Sequence, residues 1–498
     1  MTLLKFQIMK LIYLKKVAFN VAILLLLANL SEAQNRIGSE PSSSKANQNI
    51  GKNISQIEER NVRAEMEFLA SDALQGRGSG TQFELLAGHY IASQLRQFGV
   101  EPAGETDASG KKTFIQTIKM TRNAFAETPN LTYAANGLTV TLEPGKEMVV
   151  LRMNSAQARG ELQKISSDGK PKSGAIVFVK LREGEDQQKL MQNLQMLLAS
   201  GAAAVIVEET PQWRAQWSNL AARKLSFTAI SNNKANASNI IVVSSNAANA
   251  LAQIADGTPI EIKGELAAPQ NLQTWNAVGK LSGSDPGLAP EAILLSAHMD
   301  HLGVRENAPG ADKIFNGADD DASGCVAVLE LARVLAHEPR RKRTVYFAFF
   351  GSEEAGGYGS QYFINTLPFP KDKLIANLQF EMIGRPDAKV AAEELWLTGF
   401  ERSNLGAELA KQGAKLVADP HPDQNFFQRS DNYTLARQGI VAHTVSSFGL
   451  HTDYHQASDE IKTIDFSHMT RAINSMVKPV QWLVNSNFKP VWFEGKKP

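Results

Sequence analysis

From residue 271 onward the chain alternates short apolar runs with stretches of helical period, and this alternation constrains the fold more than any other feature. Apolar runs cover 271–281, 292–297, 344–350, 374–383 and 440–447, and a helical pattern begins after Ser323. Runs of that length separated by helices predict an α/β fold: a mainly parallel, mixed central sheet covered by helices. In such sheets ligands gather beyond the carboxyl ends of the strands, so the residues standing there are the first to examine.

Those positions carry chemistry-bearing side chains. His298 and Asp300 follow the 292–297 run, Glu353 and Glu354 follow Phe350, Glu381 stands near the end of 374–383, and His455 lies beyond Ser447. Asp319, Asp320 and Asp321 fill the loop before the Ser323 helix. Singly, each has a bland explanation as a solvated acid or a structural histidine. Together on one rim, the acids would repel one another and raise each other's pKa unless a cation neutralised them. Imidazoles and carboxylates without a thiolate suit zinc, with manganese or cobalt as alternatives. Five such ligands are too many for one catalytic zinc and suit two ions sharing a carboxylate and a water. A further acid outside the ligand set is then needed to accept the water's proton, and Glu353, beside Glu354, is placed for it.

Four segments carry a resemblance. His298-Met299-Asp300, Gly317 to Gly324 with its three aspartates, Ser352-Glu353-Glu354 with Gly359-Ser360, and Tyr454 to Asp459 resemble the motifs of the co-catalytic di-zinc aminopeptidase family, which also includes glutamate carboxypeptidase and the transferrin receptor. Their order and spacing make chance agreement improbable. The resemblance implies two Zn²⁺ per chain. Asp320 would bridge them, Glu354 and His455 would complete one site, and His298 and Glu381 the other. It further implies that Asp300 orients the His298 ring, that Glu353 is the general base and acid, and that Tyr454 stabilises the oxyanion. Where this chain has Glu381, other members have aspartate, which leaves the ligand in place but loosens any inference about specificity.

The rest of the chain reads more plainly. Lysines at 5, 10, 15 and 16 precede an apolar run over 17–30 and Ser31-Glu32-Ala33, which predicts a signal peptide over 1–33 and export to the periplasm or beyond. That run of 14 residues falls short of the roughly 20 a membrane anchor needs. A polar linker over 34–54 follows, then an amino-terminal helical part over 55–135, a protease-associated-like domain over 136–266 and the peptidase domain over 267–498. Gly76-Arg77-Gly78-Ser79-Gly80 lacks the strand and the Lys-Ser/Thr of a phosphate loop and reads as a plain turn. Charge is balanced, with 52 Lys and Arg against 51 Asp and Glu, so nothing points to nucleic acid. The single cysteine, Cys325, excludes an intrachain disulfide and reads as a buried, inert thiol.

The sequence therefore predicts an exopeptidase acting on peptides, in the first place an aminopeptidase. Rivals on the same centre are a carboxypeptidase or dipeptidase, to which Arg385 would contribute by meeting a carboxylate, and a glutaminyl cyclase, which uses one zinc. A receptor-like module without catalysis would be expected to have lost at least one of His298, Asp320, Glu353, Glu354, Glu381 and His455, and all six are present.

Overall fold

The computed structural model describes residues 56–181, 184, 186–231, 239–338 and 341–498. The expected signal peptide and linker lie outside these residues. Among the described residues no helix is long and apolar enough to cross a membrane.

The core of the molecule is a ten-stranded sheet. At its centre four strands run parallel: Thr344–Phe350, Ala292–His298, Leu374–Phe380 and Val441–Ser446, in that spatial order. Each is buried almost end to end, as expected of strands covered on both faces. The flanks supply the mixed character expected of the sheet. Gln270–Leu281 pairs antiparallel with Thr344–Phe350 and, on its other side, with Ile115–Ala124, which in turn pairs with Ser226–Ile230. At the opposite edge Leu395–Leu397 runs antiparallel to Val441–Ser446. The four central parallel strands bear the predicted site at their carboxyl ends, and a further parallel pair, Leu395–Leu397 with Leu416–Ala418, closes that edge.

Helix Gly324–Ala336 lies under this sheet, buried on nearly every face, against Ala292–His298 and the helices Glu59–Leu69 and Phe466–Asn485. It begins at the three-aspartate loop, so burial of its apolar residues fixes that loop in space. Cys325 sits in its first turn, buried, with burial pushing the thiol far up, as expected of an inert core cysteine.

A second, eight-stranded sheet occupies residues 130–263, with an apolar core on each face. One core gathers Leu131, Phe178, Ile206 and Ile262; the other gathers Val177, Leu194, Val205 and Val242. This sheet takes in Asn130–Ala135, placed by the sequence in the amino-terminal part, while Ser226–Ile230 leaves it to extend the ten-stranded sheet. Strand pairing, which has no local signature, decides both points.

Candidate metal centre

Register brings the site together. His298 ends its strand opposite Phe350, and Ser296 pairs with Gln379, so Glu353, Glu354 and Glu381 emerge beside His298 at the same end of the sheet. Three backbone positions of positive φ turn the chain sharply there: Ser352 at 53°, Met382 at 52° and His455 at 57°. Such conformations cost energy in non-glycine residues and concentrate at functional sites.

Asp320 is the centre of the cluster. Its Oδ1 lies 3.1 Å from His298 Nε2, while its Oδ2 lies 3.3 Å from His455 Nε2. One carboxylate thus faces two imidazoles in opposite directions, the disposition a bridging ligand needs. Glu354 Oε1 lies 3.2 Å from His455 Nε2. The neighbouring aspartates serve as backbone ties. Asp321 accepts from the N–H groups of His298, Gly324 and Met382, joining three loops. Asp319 accepts from Gly384 N and faces His451, and Asp459 accepts from the N–H groups of Asp319 and Asp320.

The other expected residues fall nearby with differing surroundings. Glu381 accepts hydrogen bonds from Gln379 and Ser430. Asp300 meets His298 differently from expectation: its backbone carbonyl is 3.1 Å from Nδ1, and its carboxylate is 3.8 Å away. The carboxylate instead accepts from Glu353 N at 2.9 Å, Glu354 N at 3.3 Å and Ser79 Oγ at 2.5 Å, so it holds the Glu353-Glu354 turn. Tyr454 stacks on the His455 ring with centroids 3.9 Å apart, and its hydroxyl accepts from Arg429 at 3.3 Å. Arg385 pairs with Asp453 at 2.8 Å, which occupies its guanidinium. Beside Glu381 a pocket opens, walled by Trp396, Phe426, Phe448 and Tyr454, with Arg429 on its edge.

The electrostatics favour positive charge. Burial alone would depress His298, but Asp300, Asp320, Asp321 and Glu353 outweigh it and push the imidazole well above its usual range. His455 likewise overcomes burial through Asp320 and Glu354 and reaches about 9. Burial raises Glu354, and Asp320 adds to it, yet the facing His301 and His455 rings hold its carboxyl at about 2. Burial pushes Glu353 well up, against His298, with Asp431, Glu381 and Glu354 contributing. Acids that hold imidazoles protonated this strongly form a site built for cations.

Two parts of the site escaped the sequence analysis. The first is His301, which stands in the same turn as Asp300, with Nδ1 2.9 Å from Glu354 Oε1. Past a strand end, alternation no longer says which way a side chain points, so its direction was not legible. The second is the 76–84 segment. Arg77, 1% exposed, donates to the carbonyls of Leu69, Met299, Asn316 and Gly317. Buried Glu84 accepts from Ser352 N, Gly80 N and the Thr274 hydroxyl. The supposed plain turn is a clamp on the loops that carry His298, Asp320 and Glu353. The glycines around Arg77 were a signal for close backbone approach: a Cβ on Gly76 would fall 2.2 Å from the Phe315 carbonyl.

The residues present fit a bound metal. The donors are imidazole and carboxylate, the ring nitrogens of His301 and Glu354 Oε1 are buried without hydrogen-bond partners, and His301, Asp320 and Glu354 offer ligand atoms within 4.8 Å of one another. Residues 276–479 match the model for peptidase family M28. Over that segment the chain is similar to the M28 peptidases. Among curated relatives, leucine aminopeptidase 1 of Uncinocarpus reesii is 28% identical over 202 residues, covering 37% of this chain and 49% of its own. An aminopeptidase of Pseudomonas aeruginosa is 34% identical over 122 residues, 24% of this chain and 20% of its own. The chain spans about half the length of the leucine aminopeptidases it matches. Among solved structures, an aminopeptidase from Aneurinibacillus sp. strain AM-1 is 19% identical with a TM-score of 0.48, over 87% of this chain and 96% of that one.

Proposed function

We propose that this chain is an exported di-zinc exopeptidase that releases residues from the free amino end of peptides. The observation that carries the reading is the Asp320 carboxylate divided between His298 and His455. Asp320 would bridge the two ions, Glu354 and His455 would complete one site, and His298 and Glu381 the other. Two zinc ions bound there would supply Lewis acidity, activating a water and polarising the scissile carbonyl.

The protein's own residues do the rest. Glu353, buried at the end of its strand, accepts the attacking water's proton and returns it to the departing amine. Asp300 fixes that role in space by holding the Glu353 and Glu354 amides. The pocket beside Glu381 receives the side chain of the terminal residue, and its aromatic walls favour an apolar one. The names of the relatives support action at the amino end.

A second reading rests on Arg429. Its guanidinium lies over the Phe426 and Tyr454 rings at the pocket edge, 4.9 and 5.9 Å from their centroids, where it would meet a substrate carboxylate. A carboxypeptidase on the same centre would use it so. Two peptides separate the readings: one with a free amino end and an amidated carboxyl end, one acetylated with a free carboxyl end. The proposal expects cleavage of the first alone, abolished by a chelator and restored by Zn²⁺. Cleavage of the acetylated peptide alone would overturn it in favour of the carboxypeptidase.

A further inference from the structure

The five expected ligands leave one imidazole at the centre of the cluster unexplained. His301 is 1% exposed, and neither of its ring nitrogens has a hydrogen-bond partner. A buried neutral imidazole ordinarily satisfies at least its N–H, because a buried donor or acceptor left unmet is destabilising. Here Nδ1 stands 2.9 Å from Glu354 Oε1, itself buried and without a hydrogen-bond partner, and 3.8 Å from Asp320 Oδ2. The atoms are close, yet they are not aligned as donor and acceptor. Two lone-pair atoms that converge without bonding each other are disposed to share a third partner. The His301 ring also lies 5.7 Å from that of His455, on the Glu354 side of Asp320.

The surroundings place the ring deliberately. The His301 amide donates to the Arg77 carbonyl at 3.1 Å, so the buried clamp fixes its backbone. Across from it is Gly317, at φ 58°, where a Cβ would come within 2.5 Å of His301 Cγ. Only the absence of a side chain there leaves room for the imidazole.

We infer that His301 is an additional metal ligand, coordinating through Nδ1 the ion held by Glu354, His455 and Asp320. This rests on the proposed metal pair and adds an asymmetry to it. The Glu354 site would then have four protein ligands, against three for the site of His298, Asp320 and Glu381. A zinc site with four protein ligands is saturated, whereas three leave a position open. The Glu354 site therefore fills first and exchanges slowly, and the His298 site is the one that exchanges.

The test uses the full chain with labelled histidine, stripped of metal and loaded with Co²⁺. Each coordinated imidazole then gives its own set of strongly contact-shifted ring signals. The expected count is three sets, from His298, His301 and His455, falling to two in His301→Asn. Zinc titration of the same variant should show the tighter step weakened at least about tenfold. Two sets in the wild-type chain with Co²⁺ bound would overturn the assignment of His301 and leave the metal pair standing. Failure of the wild-type chain to bind Co²⁺ would overturn the pair as well. The wild-type count decides the matter even if the variant does not fold.

Discussion

Replacing Arg77 by methionine should unfold the site from beneath. The guanidinium satisfies four buried carbonyls: Leu69 and Asn316 at 2.6 Å, Met299 and Gly317 at 2.9 Å. Methionine fills much of the same volume but donates nothing. A buried carbonyl left without a partner costs about 1–3 kcal/mol, so four of them set a floor near 4 kcal/mol. That is a large part of the stability of an ordinary domain and shifts the folding equilibrium about a thousandfold. Three of the four carbonyls belong to the loops bearing His298 and Asp320, so metal affinity should fall with stability. Urea unfolding of the metal-free chain, followed by tryptophan fluorescence and circular dichroism, isolates the clamp from stabilisation by bound ions. Arg77→Lys should lie between, since an ammonium cannot reach acceptors spread around a planar fork. A loss below about 1 kcal/mol in Arg77→Met would refute the reasoning, because it would mean water or relaxation satisfies those carbonyls at little cost.

Glu353→Gln should keep two zinc ions per chain but lose about 10²- to 10⁴-fold in kcat; near-normal turnover, or loss of the metals, would remove Glu353 from the proton-transfer role. His443 carries an acid-stability prediction. Burial holds its imidazole at about 4, reinforced by Arg402 and opposed by its bond to the Thr398 carbonyl. The unfolded chain takes up that proton near pH 6.5, so the neutral ring's contribution is complete above that pH. It is lost as pH falls towards 4, by about 3 kcal/mol in all. Unfolding of metal-free His443→Gln should lack that part of the acid limb, and parallel curves for the two proteins would count against it.

How much of this was legible in the sequence differs from residue to residue. Burial on both faces wrote the central strands as unbroken apolar runs, so their existence and the α/β class followed from composition and period. Strand ends followed from the same runs, which is why His298, Glu354 and Glu381 could be singled out by position alone. The order of four short motifs carried the family resemblance without any knowledge of geometry. Sequence did not reveal which strands pair, because pairing joins residues far apart in the chain. The antiparallel flank from Ile115–Ala124 and the return of Ser226–Ile230 to the large sheet were therefore tertiary decisions.

The same reason governs the site. Local sequence shows three consecutive aspartates as equivalent; only the packed loop turns Asp320 to His298 and His455, sets Asp319 between Gly384 N and His451, and leaves Asp321 tying backbone. Asp300 was expected beneath His298, yet the turn after Phe350 presents its own amides and takes the carboxylate. Arg77, Glu84 and His301 act across separations of up to 268 residues, as in the bond from Ser352 to Glu84. Local periodicity fixes which face of a strand or helix is buried. Where a side chain beyond a strand end points, and what it meets there, is set by loops that become rigid only when the whole sheet closes on its helices.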